Sequence, residues 1–137
     1  MLHLINKILQ MPTISLVFAA IAGLFHVLFF LMESVFWMNP KVHKTFGVAT
    51  IQEAEQFKLS FFNQGFYNLF LAIGIFAGIY LLQGEHTVAG KTLVLFCCAS
   101  MLAASLVLFV SKPGMLRGVF IQGLCPLIAI LCYLLCK

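Results

Sequence analysis

Glu33 is one of only four acidic residues in the chain, and it lies within an apolar stretch, residues 14–38, long enough to cross a bilayer. A carboxylate is costly in hydrocarbon and ordinarily faces a bundle interior or a wet cavity, so its position marks a candidate site. The chemistry open to it is binding of a polar or amphipathic molecule, carriage of a proton, or general acid–base work. His26 precedes it by two turns, about 10 Å along a helix axis, which leaves room for water or a ligand between the two. Asn63, Gln64, Tyr67, Asn68 and Gln122 add hydrogen-bonding groups to otherwise apolar surroundings. Each also has a plainer reading: a neutral imidazole is fixed by one hydrogen bond, and amides commonly join helices in membranes.

The elements that must position these groups follow from composition. With 63% hydrophobic and 9% charged residues and a mean hydropathy of +1.09, the 137 residues cannot present a water-soluble surface. Four segments carry the apolar load, 13–38, 61–82, 93–110 and 119–136, each near the roughly 20 residues that a spanning helix needs. The connections are too short for a second domain, and the alternation of barrel strands is missing. The expectation is one all-α domain over 1–137, an integral membrane four-helix up-down bundle with helices near 13–38, 50–83, 88–111 and 115–136. The first apolar run exceeds a signal-peptide core of about 7–15 residues and reads as a retained helix. Residues 1–11 read as a short interfacial segment ending before Pro12.

Local signals place the ends. Asn39-Pro40 closes the first helix, because the residue before proline avoids the α region. Thr50-Ile51-Gln52-Glu53 fits a capping box, so the second helix starts about two turns before the membrane and enters through Glu53, Glu55 and Lys58, charges read as solvated. Gln83-Gly84-Glu85 and Ser111-Lys112-Pro113-Gly114 read as turns. Lys41, Lys44, Lys58, Lys112 and Arg117 fall on the side of the first and third loops, against Lys7, Lys91 and Lys137 on the other. This bias favours cytoplasmic first and third loops.

Helical phase then sorts the faces. Ser15, Ala19, Ala22, His26, Glu33 and Trp37 share one arc of the first helix, opposite Val17, Leu24, Leu28, Leu31 and Val35. In the second, Asn63, Gln64, Tyr67, Asn68, Leu71, Gly74 and Gly78 are expected to face protein, with Phe62, Phe66, Leu69, Ile73, Phe76 and Tyr80 facing lipid. The fourth aligns Gly118, Gln122, Pro126, Ala129 and Tyr133, and the third offers a weaker stripe of Ser100, Ala104 and Ser111. Antiparallel connectivity brings Glu33, Asn63, Gln64, Asn68 and Gln122 to one depth, toward the first and third loops, which implies a polar chamber. Pro126 would kink its helix and free the Gln122 carbonyl into that layer. Trp37 reads as an interfacial anchor, and Gly74-x-x-x-Gly78 as a close-packing motif inside the bundle.

Five cysteines are present, yet Cys97-Cys98, Cys125, Cys132 and Cys136 contain no Cys-x-x-Cys pair. They read as packing thiols. No metal centre and no cofactor is expected, and neither a phosphate-binding glycine loop nor a basic aromatic surface for nucleic acid is present.

Phe25-His26, Glu33-Ser34, Trp37, Phe61-Phe62-Asn63-Gln64-Gly65-Phe66-Tyr67-Asn68 and Gln122-Gly123 resemble the signature positions of a small bacterial integral membrane family catalogued as domain of unknown function 1304. The resemblance implies a four-helix multi-pass protein of the plasma membrane and supplies no activity. From the residues, the expected function is binding of a small polar or amphipathic molecule by His26, Glu33, Asn63, Gln64, Tyr67, Asn68 and Gln122, with membrane lipid as the surrounding partner. The alternatives are a proton-coupled small transporter working as a homodimer, an intramembrane enzyme, and a structural or interaction protein.

Overall fold

The computed structural model describes residues 11–136. The interfacial segment expected over 1–11 therefore lies, apart from Met11, outside the described residues.

Helix α1, Thr13–Phe30, continues without a break into a π turn, Leu31–Val35. The chain then leaves the helical path, and Asn39 accepts a hydrogen bond from the Lys41 amide at 3.0 Å to open a short helix α2, Pro40–Thr45. Proline at the first helical position suits that start, since its missing N–H has no intrahelical partner to lose. Asn39-Pro40 thus begins a helix as well as following the end of one, and the first spanning segment stops at Val35, three residues short of the expected 38.

The capping box forms as read. Thr50 Oγ1 accepts from the Glu53 amide at 3.2 Å, and Glu53 Oε2 accepts from the amides of Thr50 and Ala49 at 3.2 and 3.0 Å. It opens α3, Ile51–Leu81, whose 31 residues exceed the length needed for a hydrocarbon core of about 30 Å. The surplus is the first two turns, where Glu55 and Lys58 pair at 3.5 Å with both side chains more than half exposed, a contact of little energetic weight. Helix α4, Thr87–Ser111, a 3₁₀ turn, Pro113–Met115, and α5, Leu116–Leu135, complete the chain. Four of these segments, Thr13–Val35, Ile51–Leu81, Thr87–Ser111 and Pro113–Leu135, are long and apolar enough to cross a membrane. The architecture is an all-α, four-helix bundle of a multi-pass membrane protein.

Around the bundle α1 packs on α3 and α5, and α4 packs on α3 and α5, while contact across the diagonal is slight. The first and third loops meet at one end, where Lys112 Nζ donates to the Phe46 carbonyl at 3.1 Å. Lipid tails are as apolar as leucine, so helix association here relies on close packing, which favours small residues at the crossings. Ser15, Ala19, Ala22, Gly23 and His26 are buried on α1, and Gly123, Pro126 and Ala129 on α5. Ser15 Oγ donates to the Ala129 carbonyl at 2.7 Å and ties these two helices together. At the second loop α3 and α4 touch backbone to backbone. A Cβ on Gly90 would come within 2.7 Å of the Gly78 carbonyl oxygen, and one on Gly78 within 2.9 Å of that of Gly90.

The arcs of α1 are those expected. On α3 the buried stripe is instead Gly65, Asn68, Ala72, Ile75 and Gly78, and Asn63, Gln64 and Tyr67 are exposed. The helix is turned so that its smallest residues meet α1 and α4, which leaves only one of the two asparagines inside. On α4 the buried residues are Gly90, Val94, Cys97, Cys98, Met101 and Ser105; of the expected stripe, Ala104 and Ser111 line a cleft toward the third loop and Ser100 does not. Ser100 Oγ donates to its own helix at the Phe96 carbonyl, 2.9 Å away, and so needs no partner across the bundle. Helix α5 runs through Pro126 as one α-helix with the ring buried.

The Gly78–Gly90 crossing sets a clear expectation. Gly90→Val forces α3 and α4 apart at a contact with no flexible side chain to yield, at a cost of about 1–3 kcal/mol. The thermal unfolding midpoint in detergent should fall, whereas Gly84→Val in the exposed second-loop turn, where nothing lies within 4 Å of the added carbon, should leave it nearly unchanged.

Candidate functional site

Glu33 sits in the middle of the π turn, where the Phe36 amide reaches back five residues to the Leu31 carbonyl at 2.8 Å. Such turns widen the helix locally and recur at functional positions. Here the wider turn lies directly on α3. Ser34 Oγ donates to the Phe62 carbonyl at 2.9 Å, and Ser34 occupies the space that a side chain at Gly65 would need. A Cβ there would collide with Ser34 Oγ and approach Glu33 Cβ to 3.2 Å. Gly65 is therefore what allows the π turn to seat against α3.

That seating delivers the carboxylate to two amides. Gln64 Nε2 donates to Glu33 Oε1 at 2.9 Å, and Asn68 Nδ2 donates to Oε2 at 2.8 Å. Gln64 and Asn68 are one turn apart on α3, so their side chains reach the same spot from adjacent turns. Glu33 is only 2% exposed. Among the described residues the one ion pair is Glu55–Lys58, so Glu33 meets neutral donors and no cation.

Beside this cluster a cleft of about 580 Å³ runs between α1, α3, α4 and α5 at the end of the first and third loops. Of the residues expected at a site, Glu33, Gln64, Tyr67, Asn68 and Gln122 line it. Its remaining walls are mainly apolar, with Phe29, Phe61, Leu71 and Leu108 prominent, and Lys112 stands at the mouth. Tyr67, 69% exposed, and Val107, 66% exposed, form lips on facing helices. The cleft thus opens sideways between α3 and α4, which meet backbone to backbone toward the second-loop end.

His26 and Asn63 do not line the cleft. His26 is fully buried on α1, and its Nδ1 lies 2.8 Å from the Ala22 carbonyl oxygen, a bond that requires the proton on Nδ1. Its Nε2 is buried with no hydrogen-bond partner among the described residues. Asn63 points outward from α3.

Over the cleft lies a small second core that the sequence reading did not anticipate. Trp37 is 2% exposed, stacks on Phe61 with ring centroids 3.8 Å apart, and donates through Nε1 to the Ala54 carbonyl at 2.8 Å. The expected interfacial anchor is instead enclosed, because residues 36–50 fold back over it and bring Phe46 and Val48 onto its ring. His43, 1% exposed, bonds the Val48 carbonyl through Nδ1 at 2.7 Å and closes the loop. Phe46 and Phe61 belong both to this cap and to the cleft wall. Lys112 enters the sequence pattern as part of a turn and of the basic excess on the first- and third-loop side; the structure adds its place at the mouth of the cleft.

A family model described as "Protein of unknown function (DUF1304)" matches residues 20–134. The chain belongs to that family. No curated protein and no solved structure matches. The matched span contains every residue of the cleft and the cap, and the residues that carried the resemblance are in contact: Glu33 with Gln64 and Asn68, Ser34 with Phe62, and Trp37 with Phe61.

Substitution at Glu33 separates its packing role from its charge. Glu33→Ala leaves the Gln64 and Asn68 amides without their acceptor, a loss of about 1–3 kcal/mol for the buried donor, and should lower the unfolding midpoint in detergent. Glu33→Gln retains one carbonyl oxygen, and a rotated partner amide supplies the second acceptor. Its midpoint should stay close to that of the unaltered protein, and an Ala variant as stable as the Gln variant would show that the amide bonds contribute nothing.

Proposed function

We propose that the cleft beside Glu33 binds a small polar or amphipathic molecule from within the membrane, which we take to be the plasma membrane. Glu33, Gln64, Asn68 and Gln122 hold its polar end, and Tyr67 guards the side opening. The observation that carries this reading is a buried carboxylate, oriented by two amides, in the wall of an otherwise apolar cleft of about 580 Å³. Small-molecule sites commonly have that size and that economy of polar groups. His26 and Asn63, away from the cleft, have no part in this reading.

A second reading, a structural lock, draws on the fact that each Glu33 oxygen already accepts one amide bond. Satisfied amide clusters do hold membrane helices together. The transporter alternative has less support, because Glu33 lies toward one end of the bundle rather than at its midplane, where coupling sites ordinarily lie.

Solvent extraction of the purified protein followed by mass spectrometry distinguishes the readings. A binding cleft should yield one small molecule in near-stoichiometric amount, strongly reduced in Ala104→Phe, which adds a ring at a cleft-lining position on α4. The same lipid mixture from both proteins, in the proportions of the surrounding membrane, would favour the lock.

A further inference from the structure

The chemistry of the bound group can be taken one step further, resting on the reading that the cleft is a binding site. We infer that the ligand presents an organic ammonium to Glu33 and carries it on an apolar chain that leaves the cleft between α3 and α4.

The argument begins with charge. Glu33 is 2% exposed, and among the described residues no cationic side chain pairs with it. A carboxylate removed from water without an opposite charge is costly, and the amides of Gln64 and Asn68 solvate it without neutralising it. Lys112, among the described residues the one basic side chain that lines the cleft, gives a hydrogen to the Phe46 carbonyl at the mouth and forms no ion pair with Glu33.

The hydrogen-bonding capacity agrees. An ionised carboxylate offers about four acceptor positions, and the two amides use one on each oxygen. Those that remain suit the N–H groups of an ammonium, which makes charge-assisted bonds. A bare metal ion suits the site poorly, because hard cations collect several oxygen ligands, whereas both neighbouring amides turn their NH₂ groups toward Glu33.

The walls identify the rest of the molecule. Phe29, Phe61, Leu71 and Leu108 line the cleft with Glu33, and the lining residues Tyr67 and Val107 are exposed on the outer surface of the bundle. An alkyl chain fits this route better than a hydrophilic body, which would have to stand against hydrocarbon.

The chain contains a single tryptophan, and Trp37 stacks on the cleft residue Phe61. Its fluorescence therefore reports occupancy. The full chain in phosphatidylcholine bilayer discs is titrated at neutral pH with dodecylamine and, separately, with 1-dodecanol, which has the same chain and no charge. The expected result is a saturable change with the amine at about tenfold lower concentration than with the alcohol, or lower still. Glu33→Gln should abolish that preference, so that amine and alcohol titrate at similar concentrations. Equal titration by amine and alcohol, or an unchanged preference in Glu33→Gln, would overturn the ammonium assignment while leaving the cleft as a site for amphiphiles. No saturable change with either compound, with Ala104→Phe behaving like the unaltered protein, would overturn the binding reading itself. If Glu33→Gln fails to fold, the comparison of amine with alcohol in the unaltered protein, and its loss in Ala104→Phe, decides.

Discussion

A carboxylate inside a hydrocarbon slab has to be solvated by the protein that carries it, and the arrangement of this bundle near its first and third loops follows from that demand. Water is not available there to complete an unpaired bond. Two amides one turn apart on α3 meet the requirement, one for each oxygen of Glu33. For them to reach it, α1 must widen into a π turn and α3 must present Gly65 at the contact, so that Ser34 lies where any larger residue would have kept the helices apart. The local backbone irregularity and the glycine are thus parts of one device.

Close approach of the helices supplies the remaining order. In lipid the gain from excluding water is lost, and contact area between backbones takes its place. Gly78 and Gly90 bring α3 and α4 together at one end of their hairpin. At the other end both helices line the cleft, and Tyr67 and Val107 stand at its rim. The same pair of helices therefore provides both a backbone-to-backbone crossing and walls of the cleft, which allows a cavity to persist without loosening the fold as a whole.

The segment after the π turn connects this interior to the aqueous side. Trp37, Phe46 and Phe61 pack on one another, while Lys112 reaches from the third loop to the Phe46 carbonyl. Two loops distant in sequence thereby close one end of the bundle over the cleft. Phe61, which lines the cleft, also stacks on the Trp37 ring, so the cap and the cleft wall share a side chain.

The sequence by itself determined the class and the vertical order of this protein. Apolar spans of membrane length can only become helices in a bilayer, and short connections make them antiparallel. Glu33, Asn63, Gln64, Asn68 and Gln122 were placed at one depth by that logic. The arcs of α1 were legible because its small and polar residues coincide on one side, away from Val17, Leu24 and Leu28. On α3 the same reasoning misplaced Asn63 and Tyr67, since it equated polar with buried, whereas burial there went to Gly65, Ala72, Ile75 and Gly78, the residues that let helices approach. The π turn, the folded-back cap around Trp37 and the cleft with Lys112 at its mouth belong to the tertiary structure alone. Each depends on contacts between residues far apart in the chain, and helical periodicity reports only how one helix is turned, not which neighbour it meets or how closely.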